Sequence, residues 1–319
     1  MNPFFISFKK RVRALPFLGV SLSIIYGLVR KLRGDPRLLI QTIFGLYLKI
    51  ISDFLKRNSL TGGLITSAGE YYLKMPDGIY LYYNYSLPSL TLGDGQGLAL
   101  LRAHSRLPLE DFVINFLKGS KVYFDVGANS GYYFALKVAQ SNRDVQIYAF
   151  EPDPKILHHL RKNININKAN SITLFEIALA EECGSFSMTA DLGASNFLIN
   201  QNDLLVNTIE VTVQTLDAFT NQNSIHQIDL IKVDIEGREL DFIKGASATI
   251  AKFRPVLLLE LNDALLRRGG SSLSDVLIRL KSISYHCYRV KDSNDALCFP
   301  SESLNQFLPR DSANWLKEL

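Results

Sequence analysis

The residues with most chemistry to offer lie in Val122–Gly131, VYFDVGANSG, where an acidic residue closes an apolar run and a glycine-bearing turn follows. Twenty residues beyond Gly131 a second apolar run ends in AFEPD, Ala149–Asp153. A strand, a tight glycine turn, a helix and a second strand ending in a carboxylate form half of a nucleotide-binding βαβ unit, with Glu151 where a ribose diol is read. The spacing Asp125-x-Gly127-x-x-x-Gly131 lacks the G-x-G-x-x-G of dinucleotide enzymes and adds an acid before the first glycine. S-adenosylmethionine has no pyrophosphate, so its recognition gains more from a carboxylate near its amino and sulfonium groups than from a helix N-terminus aimed at phosphates. Asp125 can supply that carboxylate, and the alternative is that it only caps the next helix.

A second set of acids follows about a hundred residues later. Ile228–Glu239 reads IDLIKVDIEGRE, and the apolar strand Val256–Leu259 ends in Glu260. Open α/β sheets bind ligands beyond the carboxyl ends of their strands, where Asp125, Glu151, Asp234 and Glu260 all fall in this reading. Asp234 and Glu236 have three roles open to them: binding an acceptor, holding a divalent metal, or acting as base together with Glu260. The alternative is capping, because Asp234–Gly237 opens the next predicted helix and carboxylates are favoured at helix N-termini. Lys232 is expected to pair with one of these carboxylates rather than to act as a nucleophile. The histidines His104, His158, His159, His226 and His286 read as structural. Neither a G-x-S-x-G elbow nor a Walker A sequence is present.

With DVGANSG, FEPDP, Leu216-Asp217, KVDIEG and RP followed by LLLELN in place, the stretch Tyr123–Asn262 resembles the FkbM family of S-adenosylmethionine-dependent methyltransferases. Ser130 departs from the apolar residue expected in that turn. The resemblance implies a class I methyltransferase sheet, Rossmann-like and mostly parallel, closed by a C-terminal antiparallel hairpin with helices on both faces. It also implies that Asp125, Gly127, Asn129 and Gly131 meet the methionine end of the cofactor and that Glu151 meets the ribose. Asp153 and the backbone around Ile177-Ala178 would border the adenine. The acceptor expected from resemblance is a hydroxyl on a sugar, glycolipid or natural product. Methyl transfer is an in-line displacement, so the protein aligns the acceptor, excludes water, and needs a base only where a proton must leave. Two rival readings are a nicotinamide oxidoreductase, disfavoured by the missing G-x-G-x-x-G, and a non-catalytic, membrane-tethered binding protein of the same fold.

Alternating strand and helix patterns must position these residues. The expected order is a helix over 110–118, strands 121–125, 145–150 and 172–178 with helices to 139 and over 155–167 between them, then short strands 186–188 and 209–213. Strand 228–233, one helix over 238–252, strand 256–261, a helix over 274–282 and a hairpin of 285–290 with 296–299 complete it. Before this methyltransferase-like region, 107–319, residues 61–106 read as a linker at Thr61-Gly62-Gly63 and a β-hairpin of 70–75 with 79–85 around Pro76-Asp77-Gly78. Its dense tyrosines can stack on an acceptor or simply pack across strands. Loops 87–97 and 193–207 are expected to shape acceptor choice.

Residues 1–60 are a basic, apolar helical arm. They hold eleven Lys or Arg against two Asp, a local charge of +9, so with the whole chain at +4 the remainder carries −5. The apolar run 15–29 falls short of the roughly 20 residues that span a bilayer. The arm therefore reads as a peripheral contact with an anionic membrane surface, a cap on the protein or a dimer contact. Homo-oligomerisation is left open. The acidic remainder argues against a nucleic-acid partner. Three widely spaced cysteines match no zinc spacing and suit a reducing, cytoplasmic compartment.

Overall fold

The structure is a computed structural model that describes residues 63–67, 70–75, 77–83, 108–119, 121–190 and 207–319. The arm 1–60, the loop 87–97 and all but Asn207 of the loop 193–207 lie outside the described residues. Three strands, β1 (Gly63–Ser67), β2 (Glu70–Lys74) and β3 (Tyr80–Tyr83), form a small antiparallel sheet in that order. Gly63, read as linker, is thus already strand. Helix α1 (Pro108–Phe116) leads into β4 (Val122–Val126), followed by α2 (Ala135–Ser141), β5 (Gln146–Phe150), α3 (Pro154–Asn167) and β6 (Ile172–Phe175). Next come β7 (Ala178–Leu179), β8 (Gly184–Thr189), β9 (Thr208–Gln214), α4 (Leu216–Gln222) and β10 (Leu230–Val233). The chain continues through α5 (Glu239–Gly245), α6 (Ser247–Phe253), β11 (Val256–Glu260), α7 (Asp263–Arg268), α8 (Leu273–Ser282), β12 (Tyr285–Val290) and β13 (Asp295–Pro300). It ends with α9 (Leu304–Phe307), α10 (Ser312–Trp315) and β14 (Leu316–Glu318).

Eight of these strands form one sheet in the order β14-β12-β13-β11-β10-β4-β5-β6. The pairs from β11 to β6 are parallel, and β13, β12 and β14 add antiparallel. This is the expected class I methyltransferase sheet, Rossmann-like, with its closing hairpin. The central strands β10 and β11 are buried on both faces, which is why LIKV and VLLL are continuous apolar runs interrupted only by Lys232. Alternate residues of β4 feed opposite cores: Tyr123 joins Leu117, Leu136 and Leu160, while Phe124 and Val126 join Phe219, Phe242 and Ile250. Met75, Ile79 and Leu81 enter the same cluster as Tyr123, so the small sheet is fused to the main core rather than set apart.

Two expected elements divide. The run 172–178 splits because Ala178 leaves the main sheet and pairs with Val213 of β9, which pairs antiparallel with β8. The helix expected over 238–252 breaks at Ala246, where φ is −108° and ψ 11°. The cause is tertiary: the Asp217 carboxylate accepts the N–H groups of Ala248 at 3.0 Å and Thr249 at 2.7 Å, capping α6 from a separate element. Helix α7 and strand β14 had no counterpart in the sequence reading. Among the described residues no helix is long and apolar enough to cross a membrane.

Candidate functional site

The carboxyl ends of β4, β5, β10 and β11 bring the sequence-selected residues to one edge of the sheet. At the end of β4 the chain turns at once, with Gly127 at φ 75°, Asn129 at φ 50° and Gly131 at φ 76°. Gly127 cannot carry a side chain, because an added methyl group would lie 1.9 Å from the Asp234 carbonyl oxygen. At Gly131 it would lie 2.7 Å from Leu160 Cδ1, so this glycine admits α3 rather than the strand before it. Asn129 holds its left-handed conformation with its own amide, whose Oδ1 accepts the Ser130 N–H at 2.6 Å.

Glu151 ties this turn to β5. Its Oε2 accepts the Asn129 N–H at 3.0 Å and its Oε1 the Asp153 N–H at 3.0 Å. Burial pushes its carboxyl up to about 7, against the pull of those two N–H groups. Each oxygen retains a lone pair for a further donor. Asp153 is the N-cap of α3, accepting Lys155 N–H at 2.7 Å with Pro154 at the first helical position. Ala178 sits in β7, beyond the end of β6.

Asp125 does not cap the next helix. It is 2% exposed and lies beneath the turn, its Oδ1 3.3 Å from Lys232 Nζ. Lys232 also lies 3.4 Å from Asp234 Oδ2 and donates to the Gly127 carbonyl at 2.8 Å. Burial works to lower the Lys232 ammonium, but Asp234 and Asp125 outweigh it and hold it well above its ordinary value. The lysine is therefore paired, as its place in the strand implied, and it bridges the glycine turn to β10. Burial raises the Asp125 carboxyl and Lys232 opposes the rise.

Asp234, Glu236 and Glu260 converge at the ends of β10 and β11, each offering an oxygen within 4.8 Å of the others. The capping alternative for Asp234 and Glu236 does not hold: the N-cap of α5 is Arg238, without a side-chain cap bond. The turn is organised instead by Glu239, 1% exposed, whose Oε1 accepts the N–H groups of Ile235 and Gly237 at 3.2 Å each. Glu236 adopts φ 59° and is held by Arg268 of α7, whose Nη2 lies 3.1 Å from the Glu236 carbonyl oxygen and 3.5 Å from its Oε2. A methyl group at Gly237 would meet the Leu265 carbonyl oxygen at 2.2 Å, so the glycine is what lets α7 press onto this turn.

Burial, with like charge nearby, sets the protonation of Glu236 and Glu260. Burial and then Asp234 raise Glu236 to about 7, with Arg268 opposing. Burial, Asp234 and Glu236 raise Glu260 to about 9, and Asp295, opposite it in the β11–β13 ladder, adds to the rise. Three oxygen donors at this spacing also suit a hard divalent cation. Arg268 and Asp295 are the members that sequence reasoning missed. Arg268 sits on an unpredicted short helix, and Asp295 is joined to the site only by strand pairing.

His159 is 2% exposed and packs edge-on against Tyr82 at 5.0 Å, while Tyr72 and Tyr82 pair across strands at 5.6 Å. His158, His226 and His286 are exposed, and His104 lies outside the described residues. Cys183, Cys287 and Cys298 are free thiols.

A family model described as Methyltransferase FkbM domain matches residues 125–287. The 2-O-methyltransferase NoeI of Sinorhizobium fredii (strain NBRC 101917 / NGR234) is 25% identical over 228 residues, covering 66% of this chain and 89% of that protein. The hexuronic acid methyltransferase AglP of Haloferax volcanii is 24% identical over 139 residues, covering 43% of this chain and 54% of that protein. The crystal structure of an FkbM methyltransferase from Methylobacillus flagellatus KT is 20% identical and covers 56% of this chain and 43% of that one, with a TM-score of 0.40.

Proposed function

The chain belongs to the FkbM methyltransferase family and is an S-adenosylmethionine-dependent enzyme, and from that premise we propose that it methylates a hydroxyl oxygen of a sugar-like acceptor. The observation that carries this reading is the meeting of Asp234, Glu236 and Glu260 beside a glycine turn that touches Asp234 backbone to backbone. The turn and Glu151 fit the cofactor: two glycines at positive φ let the turn close against Asp234 and α3 at the edge of the sheet, and a carboxylate with spare lone pairs suits vicinal ribose hydroxyls. Asn129 and Asp125 with Lys232 shape the turn from beside and below. Asp153 and Ala178 would border the adenine. Bound there, S-adenosylmethionine supplies an electrophilic methyl group on a sulfonium.

The chain's own residues handle the acceptor. Glu236, poised at about 7, takes the hydroxyl proton onto a carboxylate oxygen, and Arg268 favours its ionised form. Glu260, at about 9, stays protonated at neutral pH and donates a hydrogen bond to an acceptor oxygen. Asp234, anchored by Lys232, accepts from a neighbouring hydroxyl. Adjacent donors and acceptors of this kind match a polyol better than an amine, and NoeI and AglP are named for methylation at oxygen and of a hexuronic acid.

A second reading has support in the same geometry: the three acids hold a divalent cation. The two separate experimentally. With purified protein and a panel of glycosides, mass spectrometry should locate the new methyl on oxygen, and dialysis against a chelator should leave the rate unchanged if Glu236 is the base. Rate loss restored by Mg2+ would favour the cation. Methylation at nitrogen would overturn the acceptor assignment.

A further inference from the structure

Among the described residues β3 is an edge strand with no further strand beside it. Its outward backbone groups are met by two asparagines one turn apart on α3. Asn167 Oδ1 accepts the Tyr80 N–H at 2.8 Å and its Nδ2 donates to the Tyr80 carbonyl at 2.6 Å. Asn163 Oδ1 accepts the Tyr82 N–H at 2.5 Å. The fit is geometric: four helical residues rise about 6 Å and two strand residues about 6.8 Å, so asparagines at i and i+4 meet alternate strand residues. The helix thereby closes an edge that would otherwise be open.

Asn163 differs from Asn167 in its second bond. Its Nδ2 points to the glycine turn and donates to the Ser130 carbonyl at 2.8 Å, whereas Asn167 donates back to the Asn163 carbonyl at 2.7 Å. The amide orientation at Asn163 is forced, because an N–H only donates and a carbonyl only accepts. The side chain is 1% exposed, so water does not compete. Ser130, whose carbonyl it grips, is flanked by Asn129 and Gly131 in left-handed conformations, outside any helix or strand ladder.

We infer that Asn163 is a positioning residue for the cofactor: through Ser130 it fixes the turn that presents the Asn129 N–H to Glu151, and it couples that turn to the three-stranded sheet. This rests on the reading that the 127–131 turn and Glu151 receive S-adenosylmethionine.

The test is calorimetric titration with S-adenosylhomocysteine of full-length wild type, Asn163→Asp, Asn167→Asp and Glu151→Ala, with melting curves ensuring that each is folded. Asp at 163 keeps the shape and the acceptor for Tyr82 but sets an anionic oxygen against the Ser130 carbonyl. At pH 8 the variant should bind about tenfold more weakly than wild type or worse. As pH falls to about 5.5, protonation of the buried acid restores a donor, and the ratio of variant to wild type should return toward one. Reading the ratio cancels the titration of Glu151 and of the nearby His159, which wild type shares. Asn167→Asp should show no such pH-dependent ratio. If Asn163→Asp binds like wild type at pH 8 while Glu151→Ala has lost binding, the inference falls and the cofactor site stands. Equal weakening in both asparagine variants at both pH values would make Asn163 a structural latch and also overturn it. If Glu151→Ala binds as wild type does, the site reading itself fails and takes the inference with it.

Discussion

Gly127 and Asp234 touch backbone to backbone across the carboxyl edge of the sheet: a methyl group on the glycine would lie 1.9 Å from the aspartate carbonyl oxygen. Gly127 N–H donates to Phe150 O at 3.0 Å and Asp234 N–H to Val126 O at 3.1 Å, so both chains are pinned as they leave the sheet. The turn assigned to the cofactor and the acid assigned to the acceptor therefore cannot move independently. Gly127→Ala meets both this contact and a backbone at φ 75°. Misplacement of a reacting group by about 1 Å costs on the order of a hundredfold, and that is the loss of turnover expected for the variant. Steady-state kinetics at saturating cofactor would show it, and undiminished kcat would uncouple the turn from the site.

The pH profile should be bell-shaped, with a rising limb near 7 from Glu236 and a falling limb near 9 from Glu260. Arg268 lowers Glu236, so Arg268→Gln should move the rising limb to higher pH, cutting the rate at pH 7 and sparing it at pH 8.5, while Glu236→Gln should cost about 10²–10⁴ in kcat. Glu260→Gln mimics the protonated acid and should keep most activity and flatten the falling limb. A Glu236→Gln enzyme with full turnover would exclude that residue as base.

Lys232→Met should destabilise the fold as well as the site. Lys232 is 7% exposed and Asp125 2%, and removing the lysine strands a buried carboxylate at a cost of roughly 3–5 kcal/mol. The companion Asp125→Asn, Lys232→Met double variant should recover much of that loss in denaturant unfolding. A single variant as stable as wild type would mean that Asp125 takes up a proton at little cost.

Glu239 offers a stability test free of catalysis. Its carboxyl is raised to about 7 from 4.5, chiefly by burial, so its contribution is fully present below about 4.5 and fades as pH rises through about 7, where a buried charge must form. Glu239→Gln keeps an acceptor for Ile235 and Gly237 and cannot ionise. Its melting temperature relative to wild type should rise between pH 5 and pH 8. A constant difference across that range would mean that Glu239 ionises without penalty.

The elements around the site were legible because local chemistry fixes them. Asp153-Pro154 marks the start of α3, Gly127 the turn, and the apolar runs before Asp125, Asp234 and Glu260 the strands. Breaks set from elsewhere were less legible. In 238–252 the lone Gly245 is a weak local sign of the stop at Ala246, since the cap that starts the next helix belongs to Asp217, and nothing in 172–178 announces that Ala178 will pair with Val213.

By itself the sequence determined the parallel sheet and which residues end its strands, because periodicity, glycine and acid placement act over a few residues. Only the tertiary structure decided what those residues do to one another. Lys232 pairs with both Asp125 and Asp234, Arg268 reaches Glu236 from a helix that Gly237 admits, and Asp295 faces Glu260 through strand pairing. Charge, burial and close backbone approach depend on distances between segments far apart in the chain, and those exist only once the sheet has assembled.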